Sequence, residues 1–251
     1  MQIIPLSEGS YTIDQSKQFV PFHPDEHDLQ ARPVGSLLVE IQPFVVITSY
    51  DILLLDTGLG FTDKEGRMQL HANLAAVGIN PADITKVLLS HLHKDHSGGV
   101  CMPGHPDELS FPAATYYVQE RELLFGLEKG KPSYTPEDFG VLQLNERVQL
   151  LHDDKGLIDG YIGYELTGAH SLFHQVFTIK ENGETIFFGG DDAPQLQQMK
   201  HRFVAKYDYD GRKAKELRKE WWERGREEQW EFLFYHDVKN AKHRLTRIST
   251  D

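Results

Sequence analysis

The sequence predicts an α/β protein folded as a single domain over residues 1–251, with two strand-rich halves that each carry helices. Three observations predict it. A length of 251 residues suits one large domain better than two full ones. Short, β-rich apolar runs bounded by Gly, Pro, Asn and Asp recur through both halves. Helical spacing of apolar residues is interleaved with those runs, and no linker, low-complexity tract or solenoid-period repeat divides them. Apolar residues at 39% and charged residues at 25% supply a core and a solvated surface, which excludes a disordered chain, a collagen-like repeat and a coiled coil.

In chain order, Ser36 to Ile41 and Phe44 to Thr48 read as strands. Ile52 to Leu55 follows as a fully apolar strand that ends in Asp56-Thr57-Gly58. Met68, Leu70, Leu74 and Val77 give Gly66 to Val77 a helical face, closed by Gly78. Lys86 to Ser90 is another buried strand. Ala114 to Val118 is a strand and Glu120 to Leu127 a short helix, and Gln149 to His152 and Ile162 to Leu166 are strands. Gln175 to Lys180 and Thr185 to Phe188 flank Asn182-Gly183, a hairpin signal because both residues tolerate positive φ. Gly211 to Glu228 is helical, with Ala214, Leu217, Trp221 and Gly225 on one stripe, and Glu231 to Tyr235 is the last strand expected. Pro103 to Pro112 and Gly126 to Gly140 read as surface loops, the second a candidate pocket wall through Pro132, Tyr134 and Phe139.

Composition also narrows the partners. Acidic residues outnumber basic ones 38 to 26, for a net charge of −12, which argues against a non-specific binder of nucleic acid. Arg212 to Arg226 is rich in bases, yet Glu216, Glu220 and Glu223 interleave with them as on a solvated helix face. No run approaches the roughly 18 apolar residues of a membrane span, and the start MQIIPLSEGS has neither a basic nor an apolar leader region. The lone Cys101 has no intramolecular disulfide partner and reads as an inert thiol, so a reducing, cytoplasmic setting is expected.

Histidine placement carries the chemistry. His91, His93, Asp95 and His96 lie within six residues directly after a buried strand, and Ser97-Gly98-Gly99 follows them. Imidazoles two apart in a tight loop can converge on one ion, with Asp95 and His96 turned toward a second. This nitrogen and oxygen set suits zinc, iron or manganese. His170, Asp191 and His236 recur at the ends of later strands beside small residues, where a rigid scaffold can aim them.

These motifs together resemble the metallo-β-lactamase superfamily. Its HxHxDH signature stands as His91, His93, Asp95 and His96. Leu55-Asp56-Thr57-Gly58 is similar to its DTG turn, Thr167-Gly168-Ala169-His170 through His174 to its TPGHTxGH segment, Gly190-Asp191 to its GD turn and Tyr235-His236-Asp237 to its final histidine. The resemblance spans most of the chain. It implies a four-layer αβ/βα sandwich with His91, His93 and His170 on one metal ion, Asp95, His96 and His236 on a second, and Asp191 bridging both. Asp56 would orient a ligand histidine. Asp192 is the neighbouring alternative to Asp191, which the preceding glycine favours, and carries no assigned task. His174 reads as a packed or hydrogen-bonding residue rather than a ligand.

The function so implied is hydrolysis at a dinuclear centre holding two divalent ions, zinc before iron or manganese. A metal-bridging hydroxide would attack a small-molecule ester, lactone, thioester or phosphotriester, with Asp95 and Asp191 as the catalytic carboxylates. The branch it most resembles holds quorum-quenching lactonases, organophosphate hydrolases and glyoxalase-II-like thioesterases. Pro194 stands where lactonases of that branch place a tyrosine, three residues after the bridging aspartate. The alternative from another class is a mononuclear iron persulfide dioxygenase, which uses a similar motif with one iron.

Overall fold

The computed structural model describes residues 1–23 and 25–246. Its two larger sheets have six strands each. The first runs Gln2–Pro5, Phe44–Ile47, Ile52–Leu55, Lys86–Leu88, Thr115–Gln119, Val148–Leu151 from edge to edge, antiparallel over its first three strands and parallel over its last four. The second holds Lys155–Ile158, Ile162–Leu166, Gln175–Glu181, Glu184–Phe188, Glu231–Leu233 and Lys242–Arg244 in chain order, with the fourth and fifth parallel and the other neighbours antiparallel. A three-stranded sheet of Val20–Pro21, Gly9–Ile13 and Leu37–Ile41 joins them.

Strand alternation sets the layers, because successive side chains leave opposite faces of a sheet. Leu53 and Leu55 face the second sheet and share a core with Phe44, Phe177, Ile186 and Phe188. Leu54, between them, faces the other way, with Val87, onto Leu70 and Leu74 of the helix Gln69–Ala76 and Leu123 of the helix Glu120–Lys129. On the second sheet Phe187 and Phe232 turn outward to meet Trp221 of the helix Gly211–Glu227. Helix, sheet, sheet, helix is the four-layer sandwich that the resemblance implied. Each fully buried Leu in these layers stabilises the fold by about 1.5–3 kcal/mol relative to an exposed one.

Most strands lie within two residues of the expected bounds, and Asn182 and Gly183 make their turn at φ +51° and +79°. Four expectations need correction. The segment from Pro103 to Pro112 is not an open loop: His105–Leu109 pairs with Cys101–Met102 as a hairpin. Within Gly126 to Gly140, Phe139 and Tyr134 are buried in the first sheet's outer core, so Phe139 packs inward instead of forming a pocket wall. Among the described residues a further strand, Lys242–Arg244, follows the one expected to be last at Glu231 to Tyr235.

The fourth correction is Arg218, which is not on a solvated face but 2% exposed. It shares the buried stripe with Ala214, Trp221 and Gly225. There its Nη1 donates to the Asp192 carbonyl at 2.9 Å and its Nη2 to the Phe203 carbonyl at 2.7 Å, which replaces part of the water it loses and leaves Nε without a partner. Cys101 is buried as well: its thiol donates to the Pro106 carbonyl, and burial pushes its pKa up to about 12, in keeping with an inert thiol.

Candidate metal centre

Four strand ends deliver the candidate ligands. Lys86–Leu88 runs into His91 and His93, and the single-turn helix Lys94–Ser97 carries Asp95 and His96. Ile162–Leu166, Glu184–Phe188 and Glu231–Leu233 lead to His170, Asp191 and His236. All seven meet at one end of the two sheets. His91, His93, His170 and Asp191 form one group and Asp95, His96 and His236 another, the donor atoms in each lying within 4.8 Å of one another.

Asp191 touches both groups with different oxygens. Its Oδ2 is 3.2 Å from His170 Nε2 and 4.0 Å from His91 Nε2. Its Oδ1 is 2.9 Å from His236 Nε2 and 3.2 Å from His96 Nε2. Asp95 Oδ2 approaches the second group, at 3.5 Å from His236 Nε2 and 3.7 Å from His96 Nε2. Gly190 makes this placement available, since a Cβ there would fall 2.7 Å from His174 Nε2 and 2.8 Å from Ser90 Oγ, at a φ of +47° that side chains disfavour.

Partners behind the imidazoles fix which ring nitrogen faces inward. Asp56 Oδ2 is 2.7 Å from His96 Nδ1, and the same carboxylate accepts from the Ser90 amide and hydroxyl. The Glu40 carbonyl meets His236 Nδ1 at 2.7 Å, and Asp208 meets His170 Nδ1 at 2.9 Å. Three Nε2 atoms are thereby left to point at the Asp191 carboxylate. Tyr235 stacks on the His96 ring, 4.0 Å between centroids, and donates to the Asp95 carbonyl.

The electrostatics describe a cluster built to surround positive charge. Burial and the neighbouring imidazoles hold His91 and His93 well below the usual histidine range, so both are neutral, as a ligand must be. Burial pushes the Asp191 carboxyl up, but His236, His96 and His170 outweigh it and hold the group well below the usual carboxylate range. His96 is the mirror case: burial lowers it, yet Asp191, Asp95 and Asp56 drive it well above the ordinary value. His96 Nε2 and Asp191 Oδ1 are buried and, although 3.2 Å apart, lack hydrogen-bond geometry with any partner. Buried polar atoms without hydrogen bonds, aimed at a shared space by imidazoles and carboxylates, fit divalent cations.

Two supporting residues had no motif to announce them. Asp208 lies in a segment without a signature; only its acidity among Tyr207 and Tyr209 hinted at a buried task. Asp192 has no role in the motif, and the structure gives it one. It is fully buried, accepts from the His170 amide at 2.7 Å, and places Oδ2 3.0 Å from His174 Nδ1. His174 in turn accepts from the Asp191 amide at 3.1 Å. The cluster opens into a cleft of about 1270 Å³, walled in part by Tyr134, Pro132 and Tyr207.

The family model described as the metallo-beta-lactamase superfamily matches residues 42–219. The N-acyl homoserine lactonase AttM of Azorhizobium caulinodans is 32% identical over 117 residues, 43% of this chain and 41% of the relative, so the chain spans less than half the length of that relative. A probable metal-dependent hydrolase from Staphylococcus aureus has a similar fold, with a TM-score of 0.78 at 21% identity over 97% of this chain and 91% of that one. AidC, a dizinc quorum-quenching lactonase, gives 0.72 at 19% identity over 99% and 91%. The hydrolase AbOPH of the β-lactamase superfamily gives 0.69 at 22% over 99% and 95%.

Proposed function

The chain belongs to the metallo-β-lactamase superfamily, and from that premise we propose that it is a metal-dependent hydrolase with a dinuclear centre. Its substrate would be an ester, lactone, thioester or phosphotriester of a small molecule. The observation that carries this reading is Asp191, whose two oxygens face two separate ligand groups. His91, His93 and His170 with one Asp191 oxygen would hold the first ion; Asp95, His96 and His236 with the other would hold the second. Divalent cations bound there, zinc before iron or manganese, lower the pKa of water toward neutrality and polarise a carbonyl or phosphoryl oxygen.

The chain's own residues do the rest. Asp56, Asp208 and the Glu40 carbonyl hold the imidazoles in one tautomer and orientation. Asp192 and His174 fix the backbone on either side of the centre, at His170 and Asp191. Asp95 lines the cleft, where its carboxylate can take the proton lost by the attacking water and return it to the departing oxygen or sulfur. Ligands to both ions come from both sheets, which supports one folding unit over residues 1–251.

Metal analysis with a substrate panel tests the reading. About two divalent ions per chain, and turnover of at least one lactone, aryl ester, thioester or phosphotriester, is the expected result. AttM is a lactonase, so lactones head the panel. One iron per chain with oxygen uptake on a persulfide would replace the hydrolase by the dioxygenase. Among the described residues no helix is long and apolar enough to cross a membrane.

A further inference from the structure

The cleft is charged against the grain of the molecule. The chain carries 38 acidic and 26 basic residues, yet Lys17, Arg32, Lys94, Lys129 and Lys206 all line the cleft. The carboxylates lining it are Asp95 and Asp191 of the ligand groups, Asp208, which is paired with His170, and Asp14. Asp14 is engaged by the Ser16 amide and hydroxyl. None of the five cations has a carboxylate within 4.0 Å among the described residues, so their charge is not cancelled by a direct ion pair.

Two of these cations stand beside the candidate ligands. Lys94 is half-buried between His93 and Asp95, and its ammonium is held 5.5 Å from the centroid of Phe19 while donating to the Lys17 carbonyl. The contact brings the Lys17 segment, 77 residues away in sequence, against Lys94 where both line the cleft. Phe125, Phe203, Val204 and Leu38 supply an apolar wall. Ammonium groups without a carboxylate partner in a concave, partly desolvated site focus a positive potential and recruit anions. At about 1270 Å³ the cleft also exceeds what a small neutral lactone would fill.

We propose that this site selects substrates bearing a negative charge, a carboxylate or a phosphate, joined to an apolar portion, with Lys17 and Lys94 as the specificity-determining residues. The proposal rests on the hydrolase reading only for the reaction itself, in which water adds across the scissile bond to give an acid and an alcohol or thiol. Recognition of the anion is a property of the cleft.

The test compares the nitrophenyl monoester of adipic acid with nitrophenyl hexanoate, and a bis(nitrophenyl) phosphodiester with the matching triester, on the metal-loaded protein. Binding of the uncleaved adipic and hexanoic anilides is followed by calorimetry. The expected result is kcat/KM about tenfold or more higher for an anionic member than for its neutral partner at low salt, converging as salt screens the field. Whether the adipate or the phosphodiester shows the preference identifies the anion. Lys17→Met with Lys94→Met should abolish it, while Lys155→Met, on a distant sheet edge, should not. Equal turnover of charged and neutral partners, or a preference that survives the double variant, overturns the proposal and leaves the hydrolase reading standing. If nothing is cleaved but the adipic anilide binds in a salt- and lysine-dependent way, the hydrolase reading falls and the anion site stands. Equal binding of both anilides in that case overturns both.

Discussion

Replacing Asp192 by Asn removes one charge and almost no volume, yet it should be costly. The Asp191 amide donates to His174 Nε2, so the imidazole proton is on Nδ1, which bonds Thr167 Oγ1 at 3.2 Å and lies 3.0 Å from Asp192 Oδ2 in an ionic contact without hydrogen-bond geometry. Asp192 Oδ1 accepts from the His170 amide. An asparagine can present its oxygen to only one of these donors, and its NH₂ then faces the other, N–H against N–H, at a fully buried position. A buried donor set against a donor costs about 1–3 kcal/mol, and losing a charge-assisted contact adds to it. About 2–4 kcal/mol in total is expected, or a Tm lower by roughly 4–16 °C in a domain of this size. Urea and thermal unfolding of the metal-free variant and parent, with equal m-values, read it directly. A variant within about 1 °C of the parent would show that the Asp192 cradle does not support the fold as its geometry indicates.

Other perturbations separate the site's parts. Chelation should release two divalent ions per chain in two phases, because one group offers three imidazoles and the other substitutes a carboxylate; release of one ion in one phase would contradict the pairing. Asp191→Asn should fold, bind less metal, and lose most of kcat rather than raise KM, measured by metal content and steady-state kinetics. Asp208→Ala strips the partner from His170 Nδ1 and should weaken metal binding at the first group by about 10–100-fold while sparing the second, as competition titrations would resolve. Burial raises the Glu8 carboxyl from 4.5 to about 7, against the Leu59 amide that stabilises its charge. A folded pKa above the unfolded one means stability is lost as pH rises from 4.5 toward 7. Glu8→Gln should flatten that window, on the order of 3 kcal/mol at most, and comparing urea midpoints at about pH 5 and pH 8 checks it.

What could be read in the sequence follows from which interactions are local. Ile52 to Leu55 and the Asn182-Gly183 turn declare themselves through side-chain periodicity and turn conformation, and the structure keeps both. His91, His93, Asp95 and His96 are legible because one short turn places all four. Asp208 and Asp192 were not, since their tasks depend on His170 and His174, which are distant in sequence or hidden behind a motif residue. Arg218 misled for a related reason. A helix rich in Lys and Glu reads as solvated on every face, and only the turn at Asp192 and the segment at Phe203, folded against it, supply the carbonyls that let one guanidinium be buried. A loop from Gly126 to Gly140 would turn Phe139 toward a pocket, and a helical turn at Pro136–Phe139 directs it into the core instead.

The split of the ligands between the two sheets gives the centre a second consequence. His91 and His93 leave the first sheet, while His170 and Asp191 leave the second; Asp95 and His96 likewise depend on His236 from the far side. Neither half of the chain can assemble a full set alone, so a cation bound at either group favours only the arrangement in which the sheets are docked. Ligands that bind the native state and not its separated parts stabilise it by RT ln(1 + [L]/Kd), about 4 kcal/mol at a thousandfold excess over Kd. Without that contribution, the buried carboxylates and imidazoles of the cluster compensate one another only through protonation, as the opposed shifts of His96 and Asp191 show. The same residues that would activate water therefore also fasten the two halves of the sandwich, and Asp191, common to both groups, is where the two roles coincide.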